Sequence, residues 1–361
     1  MLAENRRGGC TVPSPGLYPH QWLWDSAFVA IGLAAHDPAG AATELLSLRR
    51  GQWDNGMLPH IIFSDTPDYW EGPDFWRSGD VPGSPADVDT SAITQPPMVT
   101  IAAERVSGHL PTGEDRDFLN SIYPMLLRYH AWIYRERVRA SGLAVIVHPW
   151  ETGLDNSPPW MELMKGAPGA PVGMFLEKVG LGRLNTKRRG DTRKVPLEER
   201  QTNVETLRTK ALAERYRGWR YDSGVILARS KVLVESVDFN SILVRANRAL
   251  GTITEALGLR LPDDLAAGMR QTERALESLW DDESEEYFSR DFRTKTLMRT
   301  SSVVTFTPLY AGTCSAERAK CLVAKLNDPR RYATPHPVPS APLDSPYFSD
   351  RRYWQGPTWT K

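Results

Sequence analysis

The amino-acid sequence predicts an all-α fold of the toroid or solenoid type. Apolar residues recur with helical periodicity along most of the 361 residues. About ten predicted helices follow one another through short connections, as they do in helical hairpins. The chain shows no fixed repeat of about 20 to 50 residues, and no Pro/Gly/Ser-rich linker divides it. We therefore expect a single domain over residues 1–361.

The first half of the chain is predicted to be helical on both sides of a long loop. The predicted helices cover residues 20–36, 39–53, 91–107 and 114–139. The first of them is apolar on more than one face, which indicates a helix that lies inside a helical assembly. The short Asp37-Pro38 break after it predicts an antiparallel hairpin. The loop at 54–90 is rich in Asp, Pro, Gly and aromatic residues, and structureless loops of that length are usually functional.

The second half combines helices with short extended segments. The apolar run at 143–148 (LAVIVH) is either a strand or a buried approach to the segment that follows. An irregular insert covers 160–200, and the sequence EEYFSRDFRTKTLMR at 285–299 predicts a β-hairpin. Further helices are predicted near 199–217, 236–257, 262–280, 303–312 and 315–326.

Composition excludes several classes of protein. Lys+Arg and Asp+Glu number 44 each, so no net field would draw the chain to nucleic acid or to an anionic membrane. The 3 cysteines have no metal-binding spacing, and an odd number argues against a disulfide framework. The start MLAENRRGGC lacks the apolar run of a signal peptide, and no segment reaches the roughly 18 apolar residues of a membrane span. We expect a reducing, cytoplasmic location.

The segment HPWETGLDNSP (148–158) holds the candidate catalytic residue, Asp155. Asn156-Ser157-Pro158 has the pattern of a helix start, and on this segment alone a cap or turn role for Asp155 is favoured. The alternative is a general acid, which needs a raised pKa. The helix N-terminus would lower that pKa, whereas burial against tryptophan would raise it, so the sequence leaves the two roles open.

Aromatic residues next to polar ones form several clusters near predicted helix ends. In YPHQWLWDS (18–26), two tryptophans beside an acid could be core residues and a helix cap, or could stack on a sugar ring and bond its hydroxyls. Similar mixtures occur in NGMLPH (55–60), TQPP (94–97) and YWQGPTW (353–359). His60 alone would be a structural hydrogen-bonding residue, and Gln95 alone could be a cap. Together the clusters favour a carbohydrate pocket.

The motifs YPHQWLWDS, GQWDNGMLPH, TQPP, ETGLDNSP and YWQGPTW, in this order, resemble those of glycoside hydrolase family 63, in particular the bacterial mannosylglycerate and glucosylglycerate hydrolases. The resemblance runs from about Asn5 to the last residue. It implies an (α/α)₆ toroid of the six-hairpin glycosidase type. It also implies inverting hydrolysis of an α-glycosidic bond in a small glycoside, with Asp155 as the general acid and with no metal or cofactor.

Matching the motifs residue by residue implies a set of substrate-binding side chains. They are Tyr18, Trp22, Trp24, Asp25, His60, Gln95, Trp150, Tyr353, Trp354 and Trp359. Arg189, in the basic sequence KRRGDTRK, is a candidate for binding the glycerate carboxylate, although a solvated loop is the simpler interpretation of that sequence.

The chain departs from the family at both ends. The relatives place their general base, a glutamate, well after the YWQGPTW motif, whereas this sequence ends at Lys361. We therefore expect an incomplete toroid that is marginally stable or associates, for example as a homo-oligomer. The alternatives to a glycosidase of this type are a catalytically inactive sugar-binding remnant, another α-glucosidase or trehalase-like activity, and, ranked last, a sugar epimerase or isomerase.

Overall fold

The computed structural model describes residues 2–65, 69, 71–167, 191–193 and 195–359. The chain forms two compact units. The first unit comprises Met1–Gly142 and Ile242–Thr272, and the second comprises Leu143–Ser241 and Glu273–Lys361. A single domain over the whole chain stays a prediction.

Helices dominate the described residues. They are α1 (Leu2–Asn5), α2 (Leu23–Ala34), α3 (Pro38–Ser47), α4 (Pro73–Trp76), α5 (Met98–Ser107), α6 (Glu114–Glu136), α7 (Pro158–Leu163), α8 (Asn203–Gly218), α9 (Ser223–Arg229), α10 (Val237–Ala256), α11 (Asp263–Leu276), α12 (Thr307–Ala311) and α13 (Ala316–Leu326). Within these residues, no helix is both long enough and apolar enough to cross a membrane.

The strands are short. They are β1 (Arg6–Arg7), β2 (Cys10–Thr11), β3 (Gln21–Trp22), β4 (Ile61–Ile62), β5 (Val145–Ile146), β6 (Val234–Glu235), β7 (Trp280–Asp281), β8 (Glu286–Tyr287) and β9 (Arg290–Asp291). All the pairs are antiparallel: β1 with β2, β3 with β4, β7 with β8, and the three-stranded order β5-β6-β9.

Local sequence signals explain where several helices begin. The Asp37 side chain accepts a hydrogen bond from the Gly40 N–H, 2.9 Å away, and Pro38 occupies the first position of α3, so the predicted break between α2 and α3 is confirmed. Thr202 and Glu205 form a reciprocal capping box at the start of α8. Helix α9 was not predicted, and it is capped by the Asp222 side chain.

In the first unit, α2 packs against α3 and α5. Its buried residues include Leu23, Ala27, Ala30 and Leu33, and the alanines allow close approach of the neighbouring helices. Helix α2 is therefore in contact with two other helices of the first unit, as expected of a helix inside a helical assembly.

A buried histidine connects three helices of the first unit. The His130 ring nitrogens lie 2.9 Å from the Thr100 hydroxyl on α5 and 3.0 Å from the Asn247 amide oxygen on α10. Burial lowers the pKa of His130 to about 4, so the imidazole is neutral near pH 7. The network satisfies polar groups inside the helical core, where an unpaired group would be costly.

In the second unit, the apolar run at 143–148 forms strand β5, which confirms the strand interpretation. The predicted hairpin also forms. The Met298 N–H bonds the Ser289 carbonyl at 2.8 Å, the Asp291 N–H bonds the Thr296 carbonyl at 2.9 Å, and Arg290 forms a bridge with Leu297. One side of this hairpin, β9, extends the sheet beside β6.

Candidate active site

The segment that carries Asp155, residues 148–158, follows β5 directly and belongs to the second unit. We call it the acid loop. Its first part is a 3₁₀ turn over Pro149–Glu151. His148 is fully buried, with its Nε2 3.0 Å from the Thr209 carbonyl and its Nδ1 accepting the Trp150 N–H at 3.2 Å. Burial lowers the pKa of His148 to about 4, so this histidine is a neutral anchor.

The two carboxylates of the acid loop lie in different environments. Glu151 is completely buried, and its Oε2 accepts the Val147 N–H at 2.7 Å, so it ties the loop back to the end of β5. Asp155 is partly exposed, beyond a glycine, Gly153, whose φ of 73° lies in the left-handed region. Exposure to solvent and to a ligand therefore distinguishes Asp155 from its neighbour.

Asp155 and Asn156 are held by side chains from distant parts of the sequence. The Gln201 amide donates to Asp155 Oδ2 at 3.0 Å. The Asn156 amide donates to the Tyr353 carbonyl at 2.9 Å, and the Gln355 amide donates to the Asn156 carbonyl at 3.2 Å. The two hydrogen bonds of Asn156 attach the acid loop to the segment that contains the YWQGPTW motif.

Residues 353–359 form an aromatic cluster beside the acid loop. The Trp354 and Trp359 rings are stacked with centroids 4.4 Å apart, and Tyr353 meets Trp359 edge-on at 5.2 Å. The Arg200 guanidinium lies 4.6 Å from the centroid of the Tyr353 ring. Trp354 is buried, whereas Trp359 is 40% exposed, so part of the cluster is open to a ligand.

The backbone of this segment is tightly constrained. A Cβ on Gly356 would lie 1.9 Å from the Ser349 carbonyl oxygen, so only glycine fits at this position. Trp354 has φ 58°, in the left-handed region, at a cost of about 1 kcal/mol or more for a residue other than glycine. The hydrogen bonds to Asn156 help to hold this conformation.

The first unit contains a second aromatic cluster, which is built on a strand pair. Trp22 on β3 pairs with Ile61 on β4, and this pairing places the Trp22 and His60 rings edge-on at 5.3 Å. Tyr18 lies edge-on to Trp22 at 5.5 Å. The His60 ring bonds the Ser91 hydroxyl through Nδ1. Among the described residues, the buried Trp22 Nε1 has no hydrogen-bond partner.

The start of α2 completes the cluster. The Trp24 N–H donates to the Gln95 amide oxygen at 3.3 Å, which links the helix start to the TQPP motif. Trp24, His60 and Gln95 are buried, whereas Tyr18, Trp22 and Asp25 are partly exposed. The predicted sugar-binding residues of the first unit are therefore close neighbours. Tyr18, Trp22 and Asp25 are the more accessible of them.

The predicted site residues thus form two clusters, one within each unit. Trp150, Asp155, Tyr353, Trp354 and Trp359 lie in the second unit. Arg189 lies outside the described residues. The sequence did not single out Gln201, Arg200 or Gln355, although Gln355 lies inside a recognised motif and could have been included on that ground.

Within the part of the chain that the structure describes, no group of three or more His, Cys, Asp or Glu residues could hold a metal ion.

The fold has a close counterpart among solved structures. The crystal structure of the GH63 mannosylglycerate hydrolase from Thermus thermophilus, in complex with Tris and D-glycerate, superposes with a TM-score of 0.86 at 36% sequence identity, over 99% of this chain and 82% of that one. The predicted fold class, an all-α glycosidase of the (α/α)₆ type, is confirmed. Fold and sequence together define the chain as an enzyme, a glycoside hydrolase.

The family assignment follows from the sequence. The mannosylglycerate hydrolase MGH1-like glycoside hydrolase domain matches residues 18–361. The mannosylglycerate hydrolase of Thermus thermophilus is 38% identical, over 99% of this chain and 83% of that protein. The glucosylglycerate hydrolase of Mycolicibacterium hassiacum is 31% identical, over 99% and 81%. The chain belongs to the MGH1-like glycoside hydrolase family.

Proposed function

We propose that this enzyme hydrolyses the α-glycosidic bond between a hexose and glycerate, as in mannosylglycerate or glucosylglycerate, with inversion at the anomeric carbon. The similar proteins include hydrolases of both compounds, which supports the glycerate aglycone and leaves the sugar to be determined by experiment. Asp155 is the general acid that protonates the leaving glycosidic oxygen.

The observation that carries this proposal is the contrast between the two carboxylates of the acid loop. Glu151 is completely buried and bonds the backbone, so it has no access to a substrate. Asp155 is partly exposed, and one of its oxygens already accepts the Gln201 amide. A hydrogen bond to one carboxyl oxygen restrains the orientation of the group, which a positioned acid requires.

In this proposal, each aromatic cluster supplies sugar-binding side chains within its own unit. Tyr18, Trp22 and Asp25 are the accessible members in the first unit. The exposed part of the Trp22 ring offers an apolar surface to the sugar, and Asp25 is a hydrogen-bond acceptor for a sugar hydroxyl. In the second unit, the exposed Trp359 ring offers an apolar face for stacking on the C–H surface of a pyranose. These side chains have buried neighbours in their own unit, namely Trp24, His60 and Gln95 in the first unit and Trp354 in the second.

The test compares Asp155→Asn with Glu283→Gln, which removes an exposed carboxylate from the same unit. We expect Asp155→Asn to lower kcat for mannosylglycerate or glucosylglycerate by about 10²- to 10⁴-fold, the usual contribution of a positioned acid, with little change in substrate binding measured by calorimetry. Glu283→Gln should behave as the wild type. Full turnover by Asp155→Asn rules out the acid assignment.

Inversion is tested on the wild-type chain by NMR of the product before the sugar equilibrates. An inverting hydrolase releases the β-anomer from an α-glycoside. Initial appearance of the α-anomer contradicts this part of the proposal and leaves the hydrolytic activity untouched.

A further inference from the structure

A small cavity lies inside the second unit, next to the acid loop. Its lining includes Thr152, Leu154 and Ser157 of that loop, together with Ser236 and Asp238. It has room for about one water molecule. The cavity is therefore lined both by the acid loop and by the first turn of α10, which begins at Val237.

Asp238 is a buried carboxyl group of which one oxygen has a hydrogen-bond partner and the other has none among the described residues. Its exposed fraction is 3%. Oδ1 accepts the Ser236 hydroxyl, whereas Oδ2 has no hydrogen-bond partner among the described residues. Burial raises the pKa of Asp238 to about 6, against the lowering effect of hydrogen bonds from Ser236 and from backbone N–H groups. A buried carboxyl oxygen without a partner is costly, so this atom requires one.

Ser157 is a polar residue of the acid loop that lines the same cavity as Asp238. A serine before a helix usually accepts a hydrogen bond from the second or third residue of that helix. In α7 the first two residues are Pro158 and Pro159, which have no N–H, and the Trp160 N–H bonds the Ser157 carbonyl at 3.0 Å. The Ser157 hydroxyl makes no capping hydrogen bond, and the residue lines the same cavity as Asp238.

We infer that an internal water molecule in this cavity bridges Asp238 Oδ2 and the Ser157 hydroxyl, and that Asp238 is thereby a positioning residue for the loop that carries Asp155. The inference rests on the proposed role of Asp155 as the acid. Ser157 lies two residues after Asp155, so a bridge at Ser157 restrains the loop close to the reacting group. Bridging waters of this kind satisfy buried polar groups and are costly to remove.

The experiment uses the full chain with Asp238→Leu, which cannot bond water, and Asp238→Asn, which can. Two substrates separate acid catalysis from general damage. A glycosyl fluoride releases a leaving group that needs no proton, whereas an alkyl glycoside such as the glycerate glycoside needs the acid. We expect Asp238→Leu to lower kcat/KM for the alkyl glycoside by about 10- to 100-fold, and for the fluoride by less than about threefold. Asp238→Asn should recover most of the loss.

The matched control is Glu286→Gln, which alters another buried carboxylate of the second unit, one paired with Arg331. It should lower both rates by the same factor or leave both unchanged. Amide hydrogen exchange at Leu154–Asn156 gives a measurement that is independent of turnover. It should accelerate in Asp238→Leu and stay unchanged in Glu286→Gln.

The outcomes distinguish the two proposals. If Asp155→Asn retains turnover of the alkyl glycoside, the acid assignment fails, whatever Asp238 does. If Asp155→Asn loses that turnover but Asp238→Leu lowers both substrates equally, or leaves exchange at the acid loop unchanged, the positioning role is overturned alone. A high-resolution crystal structure with no water between Asp238 and Ser157 also overturns it.

Discussion

The two aromatic clusters of this glycoside hydrolase are constructed in different ways. In the first unit, Trp22 lies on a paired strand, His60 directly precedes its partner strand, and Trp24 is in the first turn of α2. Regular backbone hydrogen bonds therefore place these side chains. In the second unit, Asp155 and Tyr353 lie on loops. Their placement depends on individual side-chain hydrogen bonds between segments far apart in sequence, 197 residues in the case of Asn156 and Tyr353.

This difference has a functional consequence. A strand pair or a helix retains its geometry when one side-chain hydrogen bond is lost, because the neighbouring backbone bonds remain. A loop fixed by a few side chains moves when one of them is removed. The proposed acid, Asp155, is therefore on the part of the molecule that is more sensitive to single substitutions. The predicted sugar-binding residues of the first unit are on the part that is less sensitive.

The sharpest test of this contrast compares Asn156→Ala with Ser91→Ala. Each variant removes a side-chain hydrogen bond at its cluster, from Asn156 to the Tyr353 carbonyl or from Ser91 to the His60 ring. We expect Asn156→Ala to lower kcat/KM by about 100-fold, because a shift of about 1 Å at a reacting group has that effect. Ser91→Ala should lower it by less than about tenfold.

Steady-state kinetics on one glycoside, with the melting temperature of each variant, checks this prediction. The melting temperatures exclude global unfolding as the cause. Equal losses of kcat/KM in the two variants would mean that loop and strand construction do not differ in sensitivity.

A second comparison uses one glycine from each unit. A methyl group at Gly356 would lie 1.9 Å from the Ser349 carbonyl oxygen, and one at Gly56 would lie 2.5 Å from the Arg128 carbonyl oxygen. Gly356→Ala should lower the free energy of unfolding by about 1 to 3 kcal/mol, as overpacking does, and should also lower kcat because the turn carries Tyr353.

Gly56→Ala should lower the free energy of unfolding by a similar amount, because the methyl group would be crowded and because Gly56 has φ +100°, which disfavours alanine. It should change kcat less. Urea unfolding and kinetics measure both quantities. Gly251→Ala is the control, because no atom lies within 4 Å of a methyl group at that helical position. If kcat falls more for Gly56→Ala than for Gly356→Ala, the assignment of the sensitive region is reversed.

Buried histidines predict how the stability of each unit depends on pH. The pKa of His130 in the first unit and of His148 in the second is about 4, below the ordinary value of 6.5, because burial disfavours the charged ring. The unfolded chain therefore binds protons first. Stability is fully present above about pH 6.5 and is lost as the pH falls toward 4, by about 2 kcal/mol per histidine between pH 8 and pH 5.

His130→Gln and His148→Gln should each remove about 2 kcal/mol of that pH dependence, although each also lowers the stability at pH 8. Urea unfolding at the two pH values measures the difference, with the exposed His109→Gln as the control. A variant with the same pH dependence as the wild type would show that the histidine has the same pKa in the folded and unfolded chains.

The sequence predicted those features that local patterns determine. Helical periodicity gave the main helices, Asp37-Pro38 gave the break before α3, and the apolar run at 143–148 gave strand β5. The motifs identified the family. Helix α9 was missed because the turn before it uses Arg220 and Tyr221 with φ of 55° and 54°. Only tertiary contacts stabilise such left-handed residues, and no glycine marked the turn.

Partners from distant segments were beyond prediction. Gln201 lies 46 residues from Asp155, and spacing along a chain does not reveal which loops meet. The hydrogen bond between the His130 ring and the Asn247 amide oxygen spans 117 residues and depends on how α6 packs against α10. The positions of the motifs were therefore predictable, whereas the side chains that hold them in place required the structure.

The smallest expected effect concerns Arg200, which contacts the Tyr353 ring and also forms an ion pair with Asp191 at 3.1 Å. A cation over an aromatic ring contributes about 0.5 to 1 kcal/mol at a partly exposed position. Arg200→Gln should therefore raise KM by less than about fivefold and leave kcat unchanged, because the Tyr353 backbone stays attached to Asn156. The control is Arg351→Gln, which changes an exposed arginine two residues before Tyr353. A fall in kcat as large as that of Asn156→Ala would place Arg200 among the groups that fix the acid loop, and the loop-built cluster would then depend on charge as well as on amide hydrogen bonds.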